Sequence, residues 1–246
     1  MIPKIIHLIW FGNKNVFEKF QKYIDTWKTK MPDYEIILWN EKTFDVEKVK
    51  FTKEAYCAKK WAFVSDYVRL YALYMYGGWY LDTDVEVIKS FNSLLNNRVI
   101  LSTDAYGYIE SAIIGAEKGH ILFRNMIDFY NHISFFHLDG SYNQEVINTY
   151  IQNELKMFGY KKENKFQHLD AGIIIFPDDF FHVYNLLNGS IHRTDNTYAI
   201  HWHSLTWVSK KTLYIKLFRI KIMIPLLGEK KYIKIVAHLK KIWNKK

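Results

Sequence analysis

Residues 62–90 read AFVSDYVRLYALYMYGGWYLDTDVEVIKS, and the order of residue types in this stretch decides the fold. Apolar side chains recur at helical spacing as far as Tyr76, and the pattern predicts one long helix from Lys53 to Tyr76. Gly77-Gly78 supplies the residue type that accepts a left-handed turn at a helix C-terminus. Trp79-Tyr80-Leu81 then reads as a strand running into Asp82-Thr83-Asp84, with Val85 and Val87 continuing it.

Outward from this stretch, helix and strand patterns alternate. Ile5–Ile9 and Tyr34–Trp39 are strand candidates, with a helical pattern from Val16 to Lys30 between them. Downstream, Val99–Leu101, Ala112–Ile114, Ile173–Ile175 and Tyr198–Ile200 read as strands, and Ile121–Tyr130 and Gln144–Lys156 as helices. Such alternation predicts an α/β domain with a mostly parallel central sheet flanked by helices. No internal repeat or long linker interrupts it.

The 246 residues carry a net charge of +9 that is unevenly spread. From Ser209 to Lys246 there are 12 Lys+Arg and one acid, Glu229, leaving the body close to neutral. The expected organisation is therefore a domain over 1–208 and a basic amphipathic helical tail over 209–246, broken near Pro225 and Gly228. Beyond that break Tyr232, Ile235, Val236, Leu239, Ile242 and Trp243 form an apolar stripe opposite Lys234, Lys241 and Lys245. Two readings stand: a helix packed on the body with a solvated lysine face, or an interfacial helix on anionic lipid. Nucleic acid is disfavoured, because a basic tail without a recognition motif is weak support. A single cysteine, Cys57, excludes an intrachain disulfide and suits a reducing compartment. The N-terminus lacks signal-peptide character, so the expectation is a cytoplasmic protein, peripheral on the inner face of a membrane if the tail binds lipid. Ordinary hydrophobic and charged fractions exclude intrinsic disorder, and 17% aromatics leave rings for stacking on ligands.

Ligands of open α/β sheets collect beyond the carboxyl ends of strands, where Asp82 and Asp84 fall. Side chains two apart on an extended chain share one face, so these carboxylates repel unless a cation sits beside them. Hard oxygen ligands select Mn²⁺ or Mg²⁺, which stabilises charge building on a leaving diphosphate. A D-x-D triplet alone is common on surfaces; its context gives it weight. Upstream, Asp66 and Arg69 are three apart on one helical face, the spacing of an ordinary surface ion pair as well.

The string at 62–90 resembles the sugar-nucleotide-binding core of the D-x-D glycosyltransferases of family 32. These include bacterial capsule-synthesis transferases and yeast-type mannosyltransferases, and they are distantly similar to the clostridial glucosylating toxins. The flanking strings IPKIIHLIWFG, YEIILWNE, AIIGAEKGH and NTYAIHWHSLTW occur in the family's order. The resemblance implies a single GT-A type domain that binds a nucleotide sugar. By that resemblance Trp10 is a stacking platform for the donor base, and Asp66, Arg69 and Tyr80 contact the donor. Asp82 is implied as a catalytic ligand to the donor and Asp84 as the direct metal ligand. Trp10 and Tyr80 have core packing as their structural alternative. At the C-terminal end His201 matches the family's first histidine and Trp207 its final tryptophan, a donor-binding position. His203 falls where a tryptophan is common; both His201 and His203 stand as metal-ligand candidates, with a structural imidazole the alternative for each. Ser111, a donor-binding candidate, replaces an asparagine frequent in relatives. Asp170, Asp178 and Asp179 read as turn acids, with contact to the acceptor the alternative for Asp170 near the late strand.

The resemblance further implies a retaining hexosyltransferase, with a UDP-linked hexose as the expected donor and a glycan or lipid-linked glycan of capsular or exopolysaccharide synthesis as acceptor. No carboxylate declares itself as the nucleophile of a two-step displacement. Same-face attack, with catalysis from orientation and electrostatic stabilisation of the diphosphate, is the favoured alternative. The competing classes are a toxin- or effector-like transferase acting on a protein, and a non-catalytic carbohydrate-binding module.

Overall fold

The computed structural model describes residues 1–12, 16–185, 188–204, 214–215, 217–228, 231–232 and 235. Two compact units emerge: Met1–Val183 with Arg193–Trp202, and Tyr184–His192 with His203–Lys246. The first is built from β1 (Ile5–Ile9), α1 (Val16–Lys30), β2 (Glu35–Trp39), α2 (Lys50–Cys57), α3 (Trp61–Tyr76), β3 (Gly78–Leu81) and β4 (Val85–Val87). It continues through β5 (Val99–Thr103), β6 (Ile109–Ala116), α4 (Ile121–His132), α5 (Ile147–Leu155), β7 (Gln167–His168), β8 (Ile173–Phe176) and β9 (Ala199–His201).

Seven strands form the central sheet in the order β2-β1-β3-β6-β5-β8-β7. Five of them run the same way, while β6 and β7 are reversed. Sheets covered on both faces carry continuous apolar strands, as IIHLI and IIIF do here. One face buries Val68, Leu70 and Leu73 of α3 with residues of α2, α4 and α5. The other buries Ile24 and Trp27 of α1 with Val85, Val87 and Ala199 of a separate two-stranded ribbon, β4-β9.

Two sequence expectations need correction here. The helix expected over 53–76 is divided, because Lys59 takes a left-handed φ of 56°. Lys60 N–H bonds Ala55 O at 2.9 Å and Lys59 N–H bonds Tyr56 O at 2.9 Å, the paired closure of a helix end in which glycine is the usual left-handed residue. With lysine in that place the sequence carries no stop signal. Likewise, Val85 and Val87 do not extend β3. They form β4 after a turn closed by Val85 N–H to Asp82 O at 3.0 Å, and α1 holds that strand through Trp27 Nε1 to Val85 O at 2.7 Å.

The Gly77-Gly78 step is required twice over. Both residues have positive φ, 68° and 98°, and a Cβ on Gly78 would sit 2.6 Å from Ile5 O. The chain therefore passes from α3 into β3 without an intervening loop, and β3 returns along the helix to bring the start of the D-x-D triplet level with Arg69, in the middle of α3.

Buried His7 of β1 fixes this junction. Trp39 Nε1 can only donate, and it donates to His7 Nδ1 at 3.1 Å, so His7 carries its proton on Nε2 and donates it to Gly77 O at 2.7 Å. Protonating Nδ1 would turn that bond into a clash of donors. Burial pulls the imidazole down from 6.5 to about 4, against the smaller opposing effect of the Gly77 carbonyl. Between these values the unfolded chain binds the extra proton and the folded chain does not, so stability falls as pH falls. Urea melts of the wild type are expected to lose about 2 kcal/mol between pH 7 and pH 5 from this group, a slope that His7→Gln flattens.

In the second unit a π-helical turn, Arg219–Met223, runs into the helix Ile224–Leu227. Pro225 is accommodated in that helix's first turn and does not end it; Gly228, with φ 74°, does. Of the tail's apolar stripe, Val236, Leu239, Ile242 and Trp243 lie outside the described residues.

Candidate functional site

Asp82 and Asp84 are brought together by the turn that ends β3, not by the alternation of an extended strand. His201, the last residue of β9, pairs with Val85 and so arrives directly above this turn. His201 Nε2 stands 3.4 Å from Asp84 Oδ1 and 3.6 Å from Asp82 Oδ2. One ligand atom from each of the three residues lies within 4.8 Å of the others. The Asp84 and His201 side chains are each 10% exposed, while Asp82 is 28% exposed and opens the group on one side. Burial lowers the His201 pKa, but the hydrogen bond and charge of Asp84, then Asp82 and Glu110, overcome it and raise it above 6.5. Two carboxylate oxygens and one imidazole nitrogen, converging from a surplus of negative charge, match the donor set of Mn²⁺ or Mg²⁺. The residues present therefore fit a divalent cation.

A second polar group adjoins the first. Arg69, buried on α3, is the hub: its Nη2 donates to Asp66 Oδ1 at 2.8 Å, and its Nη1 donates to the Ser111 carbonyl and hydroxyl, both at 3.0 Å. Nη1 also stands 3.8 Å from Asp82 Oδ1, and the guanidinium lies over the Tyr80 ring at 4.4 Å. Tyr80 donates its hydroxyl to Asp82 Oδ1. Burial holds the Asp66 carboxyl up to about 6; Arg69 pulls it down and Asp82 pushes it up by smaller amounts. The helical pair thus faces into the protein, and the surface ion-pair alternative fails.

Ser111 can serve Arg69 because β6 is irregular at that point. Ile100 of β5 pairs with Gly115, yet Ser102 pairs with Glu110, so extra residues of β6 bulge out between these positions. Bulges re-aim side chains next to active sites. Here the bulge frees the Ser111 carbonyl for Arg69, while the Ala112 carbonyl accepts Asp82 N–H at 2.8 Å.

The same bulge introduces two residues the sequence reading missed. Ser111 Oγ donates to Asn148 Oδ1 at 2.5 Å, and Asn148 Nδ2 reaches Glu110 Oε2 at 3.5 Å. Glu110 is within electrostatic reach of His201, Asp82 and Asp104. Burial raises its carboxyl to about 7, with Asp104 and Asp82 adding to the rise and His201 and Asn148 opposing it. A charged residue between Ile109 and Ala112 in an apolar strand was the available signal for Glu110; no motif marks Asn148 on α5.

The remaining candidates fall in different places. Trp10 follows β1, its backbone N–H on Trp39 O at 2.9 Å and its ring 5.8 Å from Phe20. It follows the carboxyl end of β1, the strand in which His7 pairs with Tyr80 of β3. His203 belongs to the second unit, where it has a φ of 48° and its ring lies 6.2 Å from Tyr184. Trp207 lies outside the described residues. Asp178 accepts from Asn164 Nδ2 at 2.7 Å, and Asp179 accepts from Thr194 and Asn196 at 2.9 Å, turn-stabilising roles in keeping with the sequence reading. Asp170 opens a short 3₁₀ turn, Asp170–Gly172.

Comparison with known proteins converges on the same stretch. A family model described as a glycosyltransferase sugar-binding region containing a DXD motif matches residues 18–100. The chain is 29% identical over 130 residues to inositol phosphoceramide mannosyltransferase 3 of Schizosaccharomyces pombe, covering 48% of this chain and 34% of that protein. Inositol phosphoceramide mannosyltransferase 1 of the same yeast is 26% identical over 149 residues, 54% of this chain and 45% of that one. The chain thus spans less than half the length of these curated relatives. Among solved structures, a glycosyltransferase involved in the glycosylation of the major capsid of PBCV-1 aligns over 82% of this chain and 96% of its own, at 12% identity and a TM-score of 0.45.

Proposed function

We propose that this chain is a metal-dependent, retaining glycosyltransferase that moves a hexose from a nucleotide sugar, UDP-linked in the leading case, to a glycan or lipid-linked glycan. The observation that carries the reading is the convergence of Asp82, Asp84 and His201 in one cluster contiguous with the Arg69 hub. The match of residues 18–100 to a DXD sugar-binding region supports it independently.

Mn²⁺ or Mg²⁺, when bound, supplies neutralisation of the negative charge that builds on the departing diphosphate. Asp84 and His201, with Asp82 on the open side, hold it. Asp82 is fixed by Tyr80 and flanked by Arg69, so its carboxylate enters the reaction already oriented. Asp66, clamped by Arg69 on a rigid helix, presents a carboxylate edge for sugar hydroxyls. Trp10, at the carboxyl end of β1, supplies a ring for the base. Orientation of this kind, with preorganised charge, accounts for same-face transfer without a protein nucleophile. Glu110, whose carboxyl burial raises to about 7, joins the Arg69 group through Asn148 and Ser111, and we assign it contact with the transferred sugar or the incoming hydroxyl. No helix among the described residues is long and apolar enough to cross a membrane, and we assign membrane contact to the basic tail.

Both curated relatives are named mannosyltransferases, which favours GDP-mannose as a second donor reading. Isothermal titration of the full chain with UDP and with GDP, each with and without Mn²⁺, tests the proposal. At least tenfold tighter binding of one diphosphate in Mn²⁺ is expected. Metal-independent binding, or none to either, refutes it. Hydrolysis of UDP-glucose, UDP-galactose, UDP-N-acetylglucosamine and GDP-mannose then selects the donor, and the anomeric configuration of the product reports retention.

A further inference from the structure

The hairpin tip between β5 and β6, residues 104–108, carries Tyr106 and Tyr108, which are 65% and 49% exposed. Scattered exposed aromatics are ordinary and call for no account. The backbone that carries these two is held in place by a dedicated scaffold. Asp104 Oδ1 accepts both the Tyr106 and the Tyr108 backbone N–H at 2.8 Å. Asp104 N–H bonds Tyr108 O at 2.8 Å, and Gly107 N–H bonds Asp104 O at 3.0 Å. From behind, Tyr160 donates its hydroxyl to Gly107 O at 2.5 Å, and Thr103 Oγ1 bonds Asn164 at 3.1 Å. A Cβ on Gly107 would meet Glu163 N at 2.7 Å, so the tip is seated against the following loop. Two exposed rings on a fixed backbone contribute little to folding; the gain comes when a ligand covers them.

The tip is also continuous with the site. Asp82 N–H meets Ala112 O, and β6 leads from Ala112 back through Ser111 and Glu110 to Ile109, where the tip begins. Glu110 occupies the ground between, in reach of Asp104 on one side and of Asp82 and His201 on the other. Lys162 Nζ covers one face of Tyr108 at 3.3 Å from the ring centre, directing recognition to its other face and to Tyr106. Open ring faces with a carboxyl and an ammonium beside them suit a neutral sugar chain, whose C–H faces stack on rings and whose hydroxyls meet both charged groups.

We propose that Tyr106 and Tyr108 form a preorganised platform for the acceptor glycan, which binds there as a chain of pyranose units and extends its reactive end past Glu110 toward Asp82. This rests on the transferase reading above. The test measures binding of p-nitrophenyl mono- and disaccharide glycosides of mannose, glucose, galactose and N-acetylglucosamine to the full chain, wild type against Tyr106→Ala/Tyr108→Ala. The expected result is saturable binding of at least one disaccharide by the wild type, weakened tenfold or more in the double variant and restored by Tyr106→Phe/Tyr108→Phe. Unchanged melting temperature and unchanged Mn²⁺-dependent nucleoside diphosphate binding are expected in every variant. Equal glycoside affinity in wild type and double variant, or no glycoside binding to the wild type, overturns the platform. Loss of diphosphate binding already in the wild type instead refutes the donor reading, so the two failures are distinct.

Discussion

Asp84→Ala is expected to raise the Mn²⁺ concentration needed for half-maximal nucleoside diphosphate binding by about a thousandfold. Asp84 is one of two carboxylates facing His201, and the more buried of the pair. One unit of charge removed about 4 Å from a bound ion, at an effective dielectric near 20, is worth about 4 kcal/mol, and 1.4 kcal/mol is tenfold. The fold should survive the change. The backbone bond from Trp202 N–H to Asp84 O, 3.2 Å, does not involve the side chain, and relief of the repulsion with Asp82 offsets the lost bond to His201. A melting curve close to that of the wild type, together with the lost metal response, is the expected pair of results. Wild-type Mn²⁺ dependence in this variant would remove Asp84 from the ion site.

The largest loss of stability is expected from Arg69→Ala. The guanidinium is buried with Asp66 against it at 2.8 Å and with Ser111 bound twice. Removing one partner of a buried pair typically costs 3–5 kcal/mol, because the survivor is left uncompensated. For a domain of this size that lowers the melting temperature by about 10 °C. Arg69→Met/Asp66→Asn, which leaves no orphan charge, should recover much of the loss. The pH dependence has a definite sign. Burial already holds the Asp66 carboxyl near 6, above its unfolded value, so the folded state binds the extra proton and stability declines as pH rises through that range. Without Arg69 the carboxyl rises further, so the single variant's deficit should shrink from pH 8 to pH 5. A deficit that is constant with pH would show that lost packing, not the stranded carboxylate, is responsible.

How much of this was legible beforehand follows from where local signals and long-range contacts agree. The apolar run of β1 and the periodicity of α1 match the observed Ile5–Ile9 and Val16–Lys30, because those patterns are local. Gly77-Gly78 announced the passage from α3 to β3 through a requirement only glycine meets. The stop at Lys59 was silent, since a lysine there does without the usual glycine. The departure of β4 from the main sheet depends on Trp27 and on β9, neither of them adjacent in sequence. Asp66, Arg69, Asp82, Asp84 and His201 were singled out in advance; that Arg69 reaches Ser111, and that Glu110 and Asn148 join the group, follows from a bulge set by the register with β5.

The ribbon of β4 and β9 has a consequence for how the protein comes into being. During synthesis both aspartates emerge long before His201, which reaches them through the three ladder pairs of β9 with β4 and the flanking bonds of Tyr198 and Trp202. A nascent chain can complete its large sheet while the candidate ion site still lacks its imidazole. Assembly of that site is thereby keyed to the arrival of β9: a ribosomal product cut short before Ala199 carries the acidic turn without the histidine that faces it.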